Sequence, residues 1–294
     1  MKLLVFGRTG QVATELARRV PEAVFLGRDA ADLTDPAACA ARVATSDADV
    51  VINAAAYTAV DDAEANEALA SAVNGAAPAA MALAAKARGL PFLHVSTDYV
   101  FDGSGTRPWR TDDPVAPLSA YGRSKLLGEE GVREADGAHV ILRTSWVFSA
   151  HGGNFVKTML RLSESRDALR VVEDQIGGPT PAAAIAEALI TLAGALRAGA
   201  EGGTLHFAGV PETSWAGFAR EIFAQAGRRV SVEGIPTREW PTPAPRPLNS
   251  RLDMSSLARF DLAPPDWRAG LAEVLAELGA REGASGKPWE NADR

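Results

Sequence analysis

The chain has one cysteine, no long apolar run and fewer basic than acidic residues, and each scarcity excludes a class of protein. Cys39 alone cannot form an internal disulfide, which fits a reducing compartment. The longest apolar stretches, such as residues 76–85, fall short of the ~18 residues that span a bilayer, and the apolar N-terminal run is too short for a signal peptide. With 30 basic against 37 acidic residues, a basic nucleic-acid-binding face is not expected. We therefore expect a soluble cytoplasmic protein that binds neither nucleic acid nor membrane.

Short apolar runs alternate with helix-length segments in the first half of the chain. Runs rich in Val, Ile, Leu and Phe cover residues 2–6, 23–26, 50–53, 92–96 and 140–143. Helical patterns cover residues 11–20, 36–44, 65–88 and 119–134. Strands that are apolar throughout and separated by helices indicate a parallel sheet covered on both faces. The pattern predicts an α/β, doubly wound, Rossmann-type fold whose ligand crevice lies at the carboxyl ends of the strands.

The regularity weakens after residue 150. We predict a dinucleotide-binding domain over residues 1–150, a smaller and mainly substrate-binding domain over 151–280, and a flexible tail over 281–294. Helices are predicted at 154–163, 182–198 and 214–226, and a strand at 204–208. Some of these segments of the second domain can therefore return to the sheet of the first. The proline-rich segment 236–247 cannot be regular structure, and is predicted to be a functional loop or a linker.

A glycine turn follows the first predicted strand and precedes the first predicted helix. Glycine allows a tight turn and close backbone approach, while the helix N-terminus offers free N–H groups and a positive dipole to a pyrophosphate. The same turn also occurs in proteins that bind no ligand. In this context it predicts a dinucleotide site, formed by Gly7, Thr9, Gly10, Gln11 and Val12.

The residues after the second predicted strand bear on which nicotinamide cofactor binds. Arg28, with Arg8 nearby, is suited to a 2′-phosphate and favours NADPH, whereas the carboxylate of Asp29 keeps NADH open. A solvated surface arginine is the alternative. Further along, Asp32 and Leu33 are placed to meet the adenine.

Thr97, Tyr121 and Lys125 carry the predicted chemistry. A free phenol has a pKa of about 10, too high for efficient proton transfer near neutrality. An ammonium four residues later on a helix shares a face with the phenol, and is expected to lower that pKa. Thr97 ends the fourth predicted strand and can donate a hydrogen bond to a substrate carbonyl. A Tyr-x-x-x-Lys pair alone is common by chance, but its place after a strand-end Ser-Thr argues for a hydride-transfer site.

The ordered set of motifs resembles the extended short-chain dehydrogenase/reductases, and within them the dTDP-4-dehydrorhamnose reductases. The resemblance runs from residue 1 to about residue 270. The block at 246–253 is more specific than the catalytic pair, which a very large superfamily shares. The matching segments are residues 6–12, 53–61, 96–103, 121–129, 143–148, 154–160, 174–175 and 246–253.

The resemblance implies NAD(P)H-dependent reduction of the C4 keto group of dTDP-4-dehydro-6-deoxy-L-mannose to dTDP-L-rhamnose, in nucleotide-sugar and cell-surface polysaccharide biosynthesis. It makes Thr97, Tyr121 and Lys125 the catalytic trio, with Tyr121 and Lys125 also touching the cofactor. It adds cofactor contacts at Gln11, Val12, Asp32, Leu33, Ala56, Tyr57 and Thr58. It places substrate contacts at Thr97, Asp98, Trp146, Asn154 and Arg246, the last against the diphosphate of the nucleotide-sugar.

The chain departs from the family at one point. Some members are described with Mg²⁺ held between subunits by glutamates; Glu15 matches one ligand, but Ala183 stands where a second carboxylate is expected. Mg²⁺ is therefore doubtful, no metal site is predicted, and a homodimer stays open.

Two other functions fit the same motifs. One is another dTDP-4-keto-6-deoxysugar reductase or epimerase. The other is a non-catalytic regulatory subunit like that of methionine adenosyltransferase, against which the intact trio argues.

Overall fold

A computed structural model describes residues 1–280, so the tail predicted for 281–294 lies outside the described residues. The strands are β1 (Leu3–Phe6), β2 (Val24–Leu26), β3 (Val50–Asn53), β4 (Phe92–Thr97), β5 (His139–Thr144), β6 (Val147–Phe148), β7 (Ala168–Val172), β8 (Ile176–Gly177), β9 (Thr180–Pro181), β10 (Gly203–His206), β11 (Thr213–Ser214), β12 (Ser231–Ile235) and β13 (Asn249–Ser250). The α-helices are α1 (Gln11–Arg19), α2 (Pro36–Thr45), α3 (Val60–Ala63), α4 (Glu67–Ser71), α5 (Ala77–Ala87), α6 (Ala120–Glu134), α7 (Phe155–Leu162), α8 (Ala182–Arg197), α9 (Trp215–Gln225) and α10 (Trp267–Glu277).

The central sheet has six parallel strands in the order β10-β5-β4-β3-β1-β2. Alternate residues of each strand face opposite layers of helices, which is why the strands are apolar throughout. In β1, Leu3 and Val5 pack with Leu189 of α8, while Leu4 and Phe6 join the core on the side of α2 and α5. The predicted α/β fold with its parallel sheet is confirmed.

The helix predicted over residues 65–88 is interrupted. A single π-helical turn, Ala72–Ala76, separates α4 from α5. In this turn Asn74 uses its side chain outside the helix, accepting from the backbone N–H of Tyr57 and donating to Ser124 of α6. A Cβ on Gly128 would lie 2.1 Å from the carbonyl oxygen of Asn74, so only glycine lets α6 approach this closely. The wide turn therefore fixes the position of α6 against the sheet.

The second half of the chain forms its own apolar cluster and also returns to the sheet. Residues of α7, α9 and α10, such as Phe218 and Leu271, pack around Trp267. In contrast, α8 packs against α1, and β10 extends the sheet beside β5. Because the chain leaves the central sheet for this second cluster and also returns to the sheet, the division into two domains remains a prediction.

One segment of the described chain, Glu67–Ala87, is long and apolar enough to cross a membrane by length and composition. Half of its most apolar window is buried within the protein. Its residues Ala77, Met81 and Ala85 belong to the core beside the sheet, which is how a core helix of a globular protein behaves. The segment is weak evidence for a membrane span.

Candidate active site

A cavity of about 720 Å³ opens at the carboxyl ends of the central strands. It extends from the turn after β1, past the ends of β3 and β4, to the segments that follow β5. This is the edge at which doubly wound sheets bind ligands. Of the sequence-predicted site residues, those in its lining are Gly7, Thr9, Gly10, Gln11, Val12, Arg28, Asp32, Leu33, Ala56, Thr58, Thr97, Asp98, Tyr121, Lys125, Trp146 and Asn154.

One end of the cavity is formed by the glycine turn. Gly7 has φ of 114°, a conformation that side chains rarely adopt, and a Cβ there would lie 3.3 Å from that of Ala13. Helix α1 begins at Gln11 after Gly10, and no side chain caps its first N–H groups. Nothing lies within 4 Å of a Cβ built on Gly10, so the backbone is accessible from the cavity. Free N–H groups at a helix N-terminus can hold the pyrophosphate of a dinucleotide.

The charges beside this turn favour a phosphate. The side chains of Arg8 and Arg28 both line the cavity, whereas Asp29 does not. Asp29 is paired with Arg8 at 3.0 Å on the surface, and Arg28 forms no ion pair with any residue between 1 and 280. The carboxylate of Asp32 accepts from the backbone N–H of Thr34 at 2.9 Å, and this contact lowers its pKa. The arrangement suits a nucleotide with a 2′-phosphate.

The other end of the cavity holds the oxygen-bearing side chains of Thr97, Asp98 and Tyr121. Thr97, the last residue of β4, donates from its hydroxyl to Asp98 at 3.1 Å and accepts from the N–H of Tyr99 at 3.2 Å. Burial raises the pKa of Asp98 to about 6, although Ser250 and Thr97 act in the opposite direction. The second carboxylate oxygen of Asp98 is buried and has no hydrogen-bond partner within the described chain. These groups form a polar floor with unused hydrogen-bonding capacity.

The predicted effect of Lys125 on Tyr121 is wrong for this arrangement. Burial raises the pKa of Tyr121 to about 12, and Thr97, not Lys125, opposes that shift. Within the described chain Lys125 makes no hydrogen bond to the phenol, because its Nζ donates to the carbonyl of Val95 at 2.7 Å and lies 3.2 Å from Nε2 of His94. Burial lowers the pKa of Lys125 to about 8. Tyr121 is therefore a protonated phenol, suited to give a proton.

Two tryptophans, Trp146 and Trp215, also line the cavity. Trp146 follows β5 with φ of 48°, a left-handed conformation that costs free energy in an aromatic residue. Its ring stacks on that of Trp215 at a centroid distance of 3.7 Å. The indole N–H of Trp215 donates to Gln175, whose amide in turn donates to Thr237. The strained backbone of Trp146 is thus held by packing that comes from distant segments.

Asn154 and Gln11 are joined by a hydrogen bond in the cavity lining. The side chain of Asn154 caps α7 by accepting from the N–H of Lys157, and donates to Gln11 at 3.1 Å. The Ser149 hydroxyl donates to the same amide oxygen of Gln11 at 2.8 Å. Both residues line the cavity, but their side chains are already engaged with each other.

Two predicted residues lie outside the cavity lining. Arg246 forms two hydrogen bonds, of 3.0 and 2.7 Å, to the carboxylate of Asp61 in α3. The N–H of Ala244 also donates to Asp61, so the proline-rich segment is fastened to α3 at this carboxylate. Tyr57 uses its hydroxyl for Asp62, and the hydrogen bond raises its pKa. Both side chains are thus engaged with carboxylates of the chain in this structure.

Glu15 lies in a separate charged cluster with His151 and Glu277. The ligand atoms of the three residues lie within 4.8 Å of one another. Arg18 donates to Glu277 at 2.8 Å and to Glu15 at 3.4 Å, so a cation is already supplied by the chain. Ala183 lines the adjacent cavity of about 210 Å³ without adding a carboxylate. The cluster is complete as an arginine-centred ion network, and its donor set does not call for Mg²⁺.

Sequence reasoning missed three residues that the fold brings to the site. Tyr99 packs edge to face on Tyr121 with ring centroids 5.5 Å apart, and Trp215 lines the cavity. His94 touches Lys125 from within β4. The residues themselves give no signal of this, since Trp215 reads as part of a helical apolar stripe and His94 as a core residue of a strand.

Comparison with known proteins agrees with this geometry. The family model described as the RmlD substrate binding domain matches residues 1–280. A dTDP-4-dehydrorhamnose reductase of Burkholderia thailandensis is 45% identical, covering 95% of this chain and 99% of that relative. The crystal structure of a dTDP-4-dehydrorhamnose reductase from Clostridium acetobutylicum superposes with a TM-score of 0.89 at 35% identity, over 95% of this chain and 99% of that one.

A further solved structure extends the likeness to a protein with a bound cofactor. The dTDP-4-dehydrorhamnose reductase of Bacillus anthracis, determined in complex with NADP, superposes with a TM-score of 0.88 at 32% identity, over 94% of this chain and 99% of that one. The resemblance predicted from the motifs is confirmed: the chain belongs to the RmlD substrate-binding-domain family.

Proposed function

We propose that the chain is an NADPH-dependent reductase that converts the C4 keto group of dTDP-4-dehydro-6-deoxy-L-mannose to the hydroxyl of dTDP-L-rhamnose. The observation that carries the proposal is the single cavity that joins an uncapped helix N-terminus at one end to Thr97 and Tyr121 at the other. Relatives named for this reaction match the chain along nearly all of its length.

The chain's residues fit a nicotinamide dinucleotide. Gly7, Gly10 and the start of α1 would hold the pyrophosphate, while Arg8 and Arg28 would meet a 2′-phosphate. The relative from Bacillus anthracis was solved with NADP. The carboxylate of Asp29 is already paired with Arg8, so it is not free to bind a ribose 2′-hydroxyl, and the arginines can bind a 2′-phosphate there. NADPH is therefore the proposed cofactor, with NADH as the weaker alternative; when bound it supplies the hydride.

Three side chains would handle the sugar carbonyl and its proton. The Thr97 hydroxyl would turn from Asp98 to donate to the carbonyl oxygen and orient it. Tyr121 would then give its phenolic proton to the same oxygen as negative charge develops there. The raised pKa of Tyr121, about 12, keeps the phenol protonated at neutral pH, as this step requires. Lys125 would position the cofactor ribose and replace the proton that Tyr121 gives up.

The remaining wall would recognise the sugar and its nucleotide. The Asp98 oxygen that has no partner would accept a hydrogen bond from a sugar hydroxyl, because a buried acceptor without a donor costs free energy. Trp146 would cover the apolar face of the deoxysugar. Arg246 would have to leave Asp61 to reach a diphosphate, so its proposed role requires movement of the proline-rich segment.

We extend the proposal to a cytoplasmic enzyme of nucleotide-sugar biosynthesis without nucleic-acid or membrane partners. Whether the protein forms a homodimer is decided separately, by comparing its mass from light scattering with the chain mass of 30.8 kDa.

The reductase activity is tested by incubating the purified protein with dTDP-4-dehydro-L-rhamnose and either NADPH or NADH. Loss of the near-ultraviolet absorbance of NADPH, with dTDP-L-rhamnose identified by NMR, is the expected result. No oxidation of either nicotinamide would refute the proposal, and a different sugar product would move the protein to another reductase or epimerase activity.

A further inference from the structure

The buried side chain of Lys125 ends a short chain of hydrogen bonds that begins at Asn53. His94 is fully buried in β4, with Nδ1 3.1 Å from the amide nitrogen of Asn53 and Nε2 3.2 Å from Nζ of Lys125. Asn53 and Lys125 are themselves only 1% exposed. The groups at the two ends of this chain of hydrogen bonds determine which atom donates and which accepts in each bond.

The direction is set at Asn53. The backbone N–H of Ala55 donates to the side-chain oxygen of Asn53 at 3.1 Å, and a backbone N–H can only donate. The atom of Asn53 that faces His94 is therefore the NH₂ group, which can only donate. Nδ1 of His94 must accept, so a neutral ring carries its one proton on Nε2.

That proton points at Lys125. An ammonium has three donors and no acceptor, so an ammonium and the Nε2–H would face each other as two donors. A neutral amine resolves the conflict, because its lone pair accepts from His94 while one of its N–H groups donates to the carbonyl of Val95 at 2.7 Å. Among the charged groups near Lys125, Glu129 favours the ammonium, but its two oxygens are bonded to Arg143, Arg133 and Ser96.

We propose that His94 is a positioning residue that stabilises Lys125 as a neutral amine, so that Lys125 exchanges its proton close to neutral pH and its ammonium form turns away from His94 towards the cavity. Hydrogen bonding to the neutral form disfavours the charged form. The burial that lowers the pKa of Lys125 to about 8 acts in the same direction.

The consequence for catalysis rests on the proposed reductase function. After Tyr121 gives its proton to the sugar oxygen, the Lys125 ammonium can return a proton to the phenolate. The resulting amine is then accommodated by the Nε2–H of His94, and solvent restores the lysine proton. Without His94 the amine would be buried with an unused lone pair, and the return of the proton would be less favourable.

The proton on Lys125 is measured directly by NMR of protein carrying ¹³C- and ¹⁵N-labelled lysine and histidine, without substrate or cofactor. The chain has only five lysines and four histidines, and Lys125→Arg assigns the resonance of interest. We expect Lys125 to titrate at or below a pH of about 8 and His94 to carry its proton on Nε2. A His94 that is protonated on Nδ1 and bare on Nε2, or a Lys125 that stays an ammonium up to the ~10.4 of free lysine, would overturn the proposal.

Variants separate the hydrogen bond from burial. His94→Phe keeps a ring beside Phe92 but removes the donor, and should raise the titration midpoint of Lys125 by roughly one pH unit. Asn53→Asp presents only acceptors to His94, and should move its proton to Nδ1 and make Lys125 an ammonium. His139→Phe, in the neighbouring strand, is the matched control and should change neither. An unchanged Lys125 midpoint in His94→Phe would refute the role of His94.

These measurements distinguish the two proposals. If the protein fails to reduce the sugar but Lys125 and His94 titrate as expected, the reductase function falls and the hydrogen-bond polarity stands. If the enzyme is active but His94 carries its proton on Nδ1, only the role of His94 falls. The wild-type spectra decide the tautomer even where a variant does not fold.

Discussion

Removing the charge of Glu129 should destabilise the protein more than any comparable change on its surface. Glu129 is fully buried in α6, and its two oxygens accept from the Ser96 hydroxyl at 2.6 Å, from Arg143 at 2.9 and 2.6 Å, and from Arg133 at 2.6 Å. Arg143 is 1% exposed and depends on this carboxylate for neutralisation. In Glu129→Gln a single amide oxygen has to accept the hydrogen bonds that two carboxylate oxygens accept in the wild type, and the amide NH₂ group faces guanidinium donors. Arg143 is left as an uncompensated buried charge.

The cost of breaking such a pair is about 3–5 kcal/mol. Typical domains are stable by only about 5–15 kcal/mol, so the loss is a large fraction of the total. At 2–4 °C per kcal/mol, the melting temperature should fall by roughly 6–20 °C. Urea unfolding followed by circular dichroism gives the change in free energy, and a thermal melt gives the shift in Tm.

Two further variants test the reasoning. Asp47→Asn removes a carboxylate from the exposed Lys2–Asp47 pair, and should leave the unfolding midpoint nearly unchanged. The double variant Glu129→Leu with Arg143→Met removes both charges, and should recover much of the loss. If Glu129→Gln lowered the free energy of unfolding no more than Asp47→Asn, the buried Glu129–Arg143 pair would not be a source of stability.

The same pair has a defined pH dependence. Burial would raise the pKa of Glu129, but Arg143, Ser96 and Arg133 together lower it below its ordinary value. A lowered folded-state pKa means that the stabilisation is present above the unfolded pKa of about 4.3 and is lost as the pH falls through the folded value. The stability gap between wild type and Glu129→Gln should therefore narrow only in acid, and a gap that narrows at alkaline pH would contradict this sign.

The remaining predictions concern the proposed reaction. Tyr121→Phe should lower kcat by about 10²–10⁴ while NADPH still binds, as monitored by fluorescence; wild-type turnover would exclude Tyr121 as the acid. Because burial lowers the pKa of Lys125 to about 8 and the ammonium is the active form, kcat/KM should decline as the pH rises through about 8, and a decline beginning only near free lysine would contradict this. Arg28→Gln should weaken NADPH at least about tenfold and leave NADH unchanged, which competition binding measures; equal loss of both would mean that Arg28 does not meet the 2′-phosphate. Trp215→Ala should raise KM for the nucleotide-sugar with little effect on NADPH binding, whereas unchanged KM would make the stacked pair structural only.

Sequence patterns predict those features of the fold that depend on residues close together along the chain. The continuous apolar runs predicted the parallel sheet, because a strand buried on both faces must be apolar throughout. The turn at Gly7–Gly10 predicted a helix N-terminus facing a ligand, because the required backbone conformation is local. Helix 65–88 was predicted as continuous, since its break depends on Asn74 bonding to Tyr57 and Ser124, which lie elsewhere in the chain.

The site required contacts between residues far apart in sequence. Arg246 meets Asp61 across 185 positions, and Trp215 stacks from α9 on Trp146, which follows β5. Composition and spacing therefore determined the fold, the order of its elements and the pair Tyr121 and Lys125. Only the tertiary structure decided that Lys125 turns towards His94 and that Arg246 is held by Asp61. The direction of a hydrogen bond and the burial of a charge depend on every group within a few ångströms, and a linear pattern does not specify those groups.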